Sequence, residues 1–335
     1  MFKWVRQTMR SRNTIYGKRK CLGVGAVLAA GTMMLMGAGA WWEEELLQVL
    51  LQGPPSPDDP RLLRLVRQKY VVAPSTAPYN LKEESGSLLD NDYLSYRNTT
   101  LGWQTLHKLV VELFEQRPAG FFVEAGALDG EYLSNTVYLE RQKGWTGLLV
   151  EPDEDMFALL LKKNRRAWTS HSCLSAKPYP SETILVKMAN SDQSDGIGYR
   201  AQNTLYGSHY YRVASPVSYE IYETVQCLPL QTLLLALPVT HVDFISLDVE
   251  GVEQGVVEAF WESGGLTVDV WLVEHHNPNT FGDSRDDVFI DMFHVHGYSL
   301  YTIISDLQPF NYVFIRQNCD LHSQAFATRP IDFML

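Results

Sequence analysis

Apolar positions in this chain come first as one unbroken run and later as short runs alternating with helical spacings. The run from Cys21 to Trp42 carries no charge. A helix rises ~1.5 Å per residue, so about 20 apolar residues cross a hydrocarbon core, and this run predicts one transmembrane helix. Gly53-Pro54-Pro55-Ser56-Pro57 then breaks the chain. Asp59 before Pro60 marks the cap and first position of a helix, with Leu62, Leu63, Val66 and Tyr70 on one face. Residues 72–100 read as loop. A second amphipathic helix is predicted over 102–116, where Leu106, Leu109, Val110, Leu113 and Phe114 recur at helical spacing.

From Gly120 onward short apolar strands alternate with helices. Strands are expected at 120–125, 147–151, 168–174, 223–228, 241–248 and 268–274, and helices at 135–144, 154–164, 250–260 and 286–296. Residues 175–222 read as an irregular insertion containing Tyr206, Tyr210, Tyr211, Tyr219 and Tyr222, which line a binding surface or cover a sheet edge. Segments 298–304 and 312–316 predict a closing antiparallel pair. Apolar strands alternating with helices imply a mostly parallel sheet covered on both faces, an α/β fold.

Charge orients the chain. Residues 1–20 hold seven basic residues and no acid, whereas Glu43, Glu44 and Glu45 follow the apolar run. Positive charge before the span places the N-terminus in the cytosol, with Trp41-Trp42 at the far interface. The expected organisation is a cytosolic tail (1–20), a signal anchor (21–42), a linker and helical lead-in (43–100) and a lumenal domain (101–335). A cleaved signal peptide ending at Ala38-Gly39-Ala40 is the rival reading, and a mitochondrial presequence a third. The overall charge is −11, which disfavours a nucleic-acid partner because that binding rests on neutralising phosphates. Asn98-Thr99-Thr100 is a glycosylation sequon. Cys173 and Cys227 either pair in an oxidising compartment or stay free, and the cysteine spacings fit no zinc pattern.

Candidate chemistry lies at strand ends, where open α/β sheets bind ligands. Glu124 ends the first strand, and Gly126 and Gly130 open the turn after it. Glu151 ends the second, placed for the two hydroxyls of a ribose. Asp248, Glu250 and Glu253 end the strand at 241–248; capping of the next helix is their plain alternative. Glu274-His275-His276 ends another strand, and His275 there is a candidate general base or a hydrogen-bonded structural histidine. A metal held by Asp248, Glu250 and His275 is a weaker option. No phosphate-binding glycine pattern is present.

These motifs resemble the FkbM-type methyltransferase family. Glu124-x-Gly126, Glu151 and Asp243-Phe244-Ile245-Ser246-Leu247-Asp248-Val249-Glu250-Gly251 carry the likeness over about residues 120–310. The resemblance implies a Rossmann-like fold binding S-adenosylmethionine through Glu124, Gly126, Gly130 and Glu151, with Asp248, Glu250 and His275 at the reacting end. Family enzymes have asparagine where this chain has Leu128. Phe122–Glu131, Leu133–Thr136, Gly144–Pro152, Asn164-Arg165-Arg166, Cys173-Leu174-Ser175, Asp59-Pro60-Arg61 and Ala77–Leu81 are further similar to the membrane-anchored Star-like branch. That likeness implies a single-pass type II protein of the endoplasmic reticulum, Golgi, endosome or plasma membrane, carrying membrane-bound growth-factor precursor cargo. An O-methyltransferase is the alternative it leaves.

Overall fold

The computed structural model describes residues 53–81, 101–190, 203–206, 218–279, 284–305 and 309–327. The basic tail, the apolar run 21–42, Asn98, Tyr210 and Tyr211 lie outside the described residues. Among the described residues no helix is long and apolar enough to cross a membrane. The chain divides into two units, 1–54 and 55–335, and the second is the one described below.

It opens with α1 (Pro60–Lys69) and β1 (Val71–Val72). Asp59 caps α1 by accepting from the Arg61 N–H at 2.8 Å, with Pro60 at the first position as expected. Helix α2 (Leu101–Leu113), β2 (Phe121–Ala125), α3 (Val137–Lys143), β3 (Thr146–Val150), α4 (Glu154–Lys162) and β4 (Trp168–Ser170) follow. Next come β5 (Cys173–Leu174), β6 (Ser181–Asn190), β7 (Thr204–Leu205), β8 (Ser218–Leu228) and α5 (Leu230–Leu235). The chain continues through β9 (His241–Leu247), α6 (Glu253–Glu262), β10 (Thr267–His275), α7 (Asp287–Val295), β11 (Tyr298–Ile304), β12 (Phe310–Arg316) and α8 (Asp320–Ala327).

The large sheet runs β1-β4-β3-β2-β9-β10-β12-β11. Its five central strands are parallel, and β12 and β11 close it antiparallel. This is the expected mostly parallel sheet with an antiparallel closing pair. Side chains alternate along each strand, so each strand feeds two cores. Val123, Ile245 and Trp271 pack on one face with Val66, Leu233, Val257 and Phe293 from α1, α5, α6 and α7. Phe122, Phe244 and Val270 pack on the other with Leu106, Leu139, Leu160 and Leu321 from α2, α3, α4 and α8.

Three segments differ from the sequence expectation. The helix expected after Asp59 forms and puts Leu62 and Val66 in the core, but the lead-in also adds a strand to the sheet, β1 pairing with β4, and Arg166 stacks over Tyr79 at 4.6 Å. The strand expected at 168–174 is two strands in different sheets, β4 and β5. The segment expected to be irregular contains β6, β7 and the first part of β8, whose remainder is the strand expected at 223–228; with β5 they form a second sheet in the order β5-β8-β6-β7. Lys187 on β6 ties that sheet to the start of α4, reaching the cap residue Asp153 at 3.4 Å, and pairs within the sheet with Glu223 of β8 at 2.6 Å. Cys173 and Cys227, directly opposed on β5 and β8, form a disulfide, which resolves the alternatives open in the sequence.

Candidate functional site

The chain passes from β2 outward to β3 and β4 and returns on the other side of β2 at β9. That reversal is the switch point at which open α/β sheets bind ligands. A cavity of about 230 Å³ opens there. Glu124, Gly126, Glu151, Asp248 and Glu250 line it, whereas Gly130 and His275 do not. Gly130 is a packing glycine: at φ +78° an added Cβ would meet Leu160 Cδ1 at 2.7 Å. His275 borders a second cavity of about 340 Å³, reached across the turn whose Glu250 faces the first and whose Gly251 faces the second. The trio Asp248, Glu250 and His275 weighed as metal ligands is therefore divided between two cavities.

Each carboxylate has its own environment. Glu124 is buried, and its oxygens accept from Ser134 Oγ at 2.8 Å, the Asn135 N–H at 2.7 Å and Thr136 Oγ1 at 2.6 Å. It shapes the loop that brings Asn135 to the cavity wall. Glu151 is also buried, accepting from the Leu128 N–H at 2.7 Å and the Asp153 N–H at 2.8 Å. Burial pushes its carboxyl up to about 8, against the pull of those two N–H donors. A carboxylate offers about four lone-pair sites, so each oxygen keeps one for a ligand hydroxyl.

Asp248 does not cap α6. Its N–H donates to Ala125 O at 3.1 Å, and the helix begins at Glu253 with Val252 as cap residue. Glu253 instead closes the turn, accepting from the Val249 N–H at 2.9 Å and the Gly251 N–H at 3.0 Å. Asp248 shares a hydrogen bond with Glu274, a cavity residue that the sequence reading passed over for its neighbour. Burial raises the Glu274 carboxyl, and the negative Asp248 raises it further. Part of Asp248 is open to solvent, so Glu274 carries the shared proton.

Backbone strain gathers at the same place. Leu128, Leu133 and Glu250 line the cavity and have φ of 49°, 55° and 60°, a left-handed conformation that costs non-glycine residues about 1–2 kcal/mol each. The second sheet supplies the rest of the wall through Cys173, Leu185, Asn203 and Leu205. None of these four was singled out in the sequence as a site residue; Leu185, Asn203 and Leu205 lie in the insertion, which has no helical or strand-end motif, and Cys173 was read only for its pairing.

Among the described residues no Lys, Arg or His lines the first cavity. The wall therefore suits a nucleoside without phosphates, and one carrying positive charge. The sequence model of the methyltransferase FkbM domain matches residues 124–300. The chain belongs to this family. No curated protein matches it. The FkbM motif from Asp243 to Gly251 serves the fold at one end and the cavity at the other. Asp243 accepts from the Phe121 N–H at 2.7 Å and from Arg117 at 2.7 Å, at the opposite ends of the strands. His241, Asp243 and Asp269 lie near enough to hold a metal ion. Arg117 and Arg316 already neutralise those carboxylates, with contacts of 2.9 Å and 2.8 Å to Asp269, so this FkbM domain uses the cluster to brace its strands.

The carboxylates make stability depend on pH. Glu274 is raised well above 4.5, Glu253 to about 7 and Glu151 to about 8. A raised carboxyl contributes its full stability below its unfolded value and loses it as pH climbs through the folded value. The melting temperature should therefore fall as pH rises from about 5 to about 8. Glu274→Gln keeps a donor to Asp248 without needing the proton, and should flatten that fall in thermal unfolding scans. A variant curve parallel to wild type would refute the shared proton.

Proposed function

We propose that the FkbM domain binds S-adenosylmethionine in the first cavity and acts as an O-methyltransferase, with the 21–42 segment anchoring it to a secretory membrane. The observation that carries this reading is the cavity itself: a switch-point site with Glu151 in its wall and, among the described residues, no basic side chain around it. The residues fit the cofactor. Glu151 would hold the ribose hydroxyls, Gly126 keeps the turn close to the cavity, and Asp248, Glu250 and Glu274 suit a cationic centre. The bound cofactor would supply an electrophilic methyl group on a sulfonium. Glu124 acts at one remove, through Asn135.

The test is calorimetric titration of the full chain with S-adenosylmethionine. Burial keeps the Glu151 carboxyl protonated near neutral pH; two neutral hydrogen bonds at roughly 0.5–1.5 kcal/mol each mean that Glu151→Ala should weaken binding by about one to two decades. No heat and no thermal shift with millimolar cofactor, in folded protein, would remove the enzyme reading.

One observation favours a second reading, the Star-like role in transport of membrane-bound growth-factor precursors between endoplasmic reticulum, Golgi and endosomes. Leu128 stands where family enzymes have asparagine, and its strained backbone offers a ligand no side-chain amide. The disulfide supports placement of the domain in an oxidising lumen, away from the cytosol where the methyl donor is made. Under either reading, protease added to sealed microsomes should leave the domain intact, and its digestion would contradict the lumenal placement.

A further inference from the structure

The second cavity, of about 340 Å³, shares no lining residue with the first. His275 borders it with Gly251, Glu253, Gln254, Glu258 and His276, and is only 6% exposed. Its ring is fixed on two sides: it stacks on Phe289 with centroids 3.8 Å apart, and Nε2 lies 3.0 Å from Asp286 Oδ2. Asp286 is itself held. Its other oxygen caps α7 through the Phe289 N–H at 3.1 Å, and its own N–H donates to Tyr312 Oη at 2.9 Å. A carboxylate accepts only, so Nε2 carries the ring hydrogen and Nδ1 presents a lone pair. Nδ1 bonds to no described residue and is not among the sealed, unpaired atoms of the interior, so it opens into this cavity. Burial lowers the His275 pKa in spite of Asp286, which keeps the ring neutral. A neutral acceptor locked in one tautomer at a cavity wall calls for a hydrogen-bond donor.

We propose that the second cavity is a separate binding site for a small organic ammonium compound, which donates an N–H to His275 Nδ1. The site is independent of the methyltransferase reading, since the two linings have no residue in common. The charge class follows from the wall. Glu253 and Glu258 line the cavity and, among the described residues, no Lys or Arg does, so a phosphate or carboxylate ligand meets neither cation. Glu253 is engaged by the turn, through the Val249 and Gly251 N–H groups. Glu258 accepts from Gln254 Nε2 at 2.8 Å and keeps lone pairs for a cation. An ammonium carries hydrogens for both acceptors, the ring and the carboxylate. A hydroxyl on the same ligand also finds partners, because the first N–H groups of α6, at Gln254 and Gly255, have no intrahelical acceptor. The ligand is bound and not transformed, with no bond made or broken.

The experiment is nitrogen NMR of the full chain with labelled histidine side chains at about pH 8, where an ordinary histidine is neutral. The His275 signals are those lost in His275→Gln; should that variant fail to fold, they are assigned through bonds from the backbone. Ethanolamine, a cation at this pH, is the probe. Glycolate, an anion of similar size, and ethylene glycol, a neutral diol, are the contrasts. A neutral ring protonated on Nε2, with an Nδ1 signal that shifts saturably with millimolar ethanolamine and much less with either contrast, supports the proposal. Glu258→Gln, a change at an exposed position, should then weaken ethanolamine binding by about two- to fivefold, the span of an exposed ion pair. A ring protonated on Nδ1, no response to ethanolamine, an equal response to either contrast, or binding unchanged in Glu258→Gln overturns it.

Discussion

Gly126→Ala should destabilise the domain by about 4 kcal/mol and abolish ligand binding in the first cavity. Gly126 has φ +85°, and an added Cβ would stand 2.0 Å from the Asp248 carbonyl oxygen. The positive φ alone costs roughly 1–2 kcal/mol, and overpacking typically adds about 1–3 kcal/mol. The clash is with backbone, so no side chain can swing aside. Relief would require β2 and β9 to part where Asp248 N–H meets Ala125 O at 3.1 Å. Gly144 is the internal control. It caps α3 at φ +69° with nothing within 4 Å of an added Cβ, so Gly144→Ala should cost only about 1 kcal/mol. Urea unfolding of both variants decides the point; equal losses would mean that the Asp248 contact is not what requires glycine at 126.

Reducing the Cys173–Cys227 disulfide should cost a similar amount. The bridge closes a loop with a sequence separation of 54, for which the chain-entropy estimate is about 4 kcal/mol. In a domain of this size that lowers the melting temperature by roughly 10 °C. The effect should reach the cavity as well. β5 pairs with β8 through only Cys173–Cys227 and Leu174–Leu228, and Cys173 and Leu174 both line the wall. Thermal unfolding with and without reductant, beside a Cys173→Ser, Cys227→Ser double variant, measures the loss. An unchanged melting temperature after full reduction would show that the bridge is not structural.

The parts of the fold legible in the sequence are those written in local periodicity. Phe121–Ala125, Thr146–Val150 and His241–Leu247 are buried almost throughout, so their apolar runs signalled interior parallel strands. The second sheet was not legible. Residues 181–190 mix Glu182, Thr183 and Lys187 with apolar positions. Lys187 is buried only because Asp153 and Glu223, distant in sequence, meet it. The strand after the first helix was similarly missed, because β1 is two residues long and owes its strand character to β4.

What the sequence by itself determined is the alternation of strands and helices in the large sheet, its mostly parallel character, and the acids Glu124, Glu151 and Asp248 at its strand ends, because backbone periodicity and turn chemistry are local. It could not assign those acids their tasks. Glu124 became a loop-holding residue when Ser134, Asn135 and Thr136 closed around it. Glu151 remained available at the cavity with a raised pKa, and Glu274 acquired a shared proton from Asp248. Tertiary structure alone also decided that Glu274 and His275, adjacent in sequence, serve different cavities. Successive side chains of a strand point to opposite faces, and which face meets which cavity depends on the strands and helices that arrive from elsewhere in the chain.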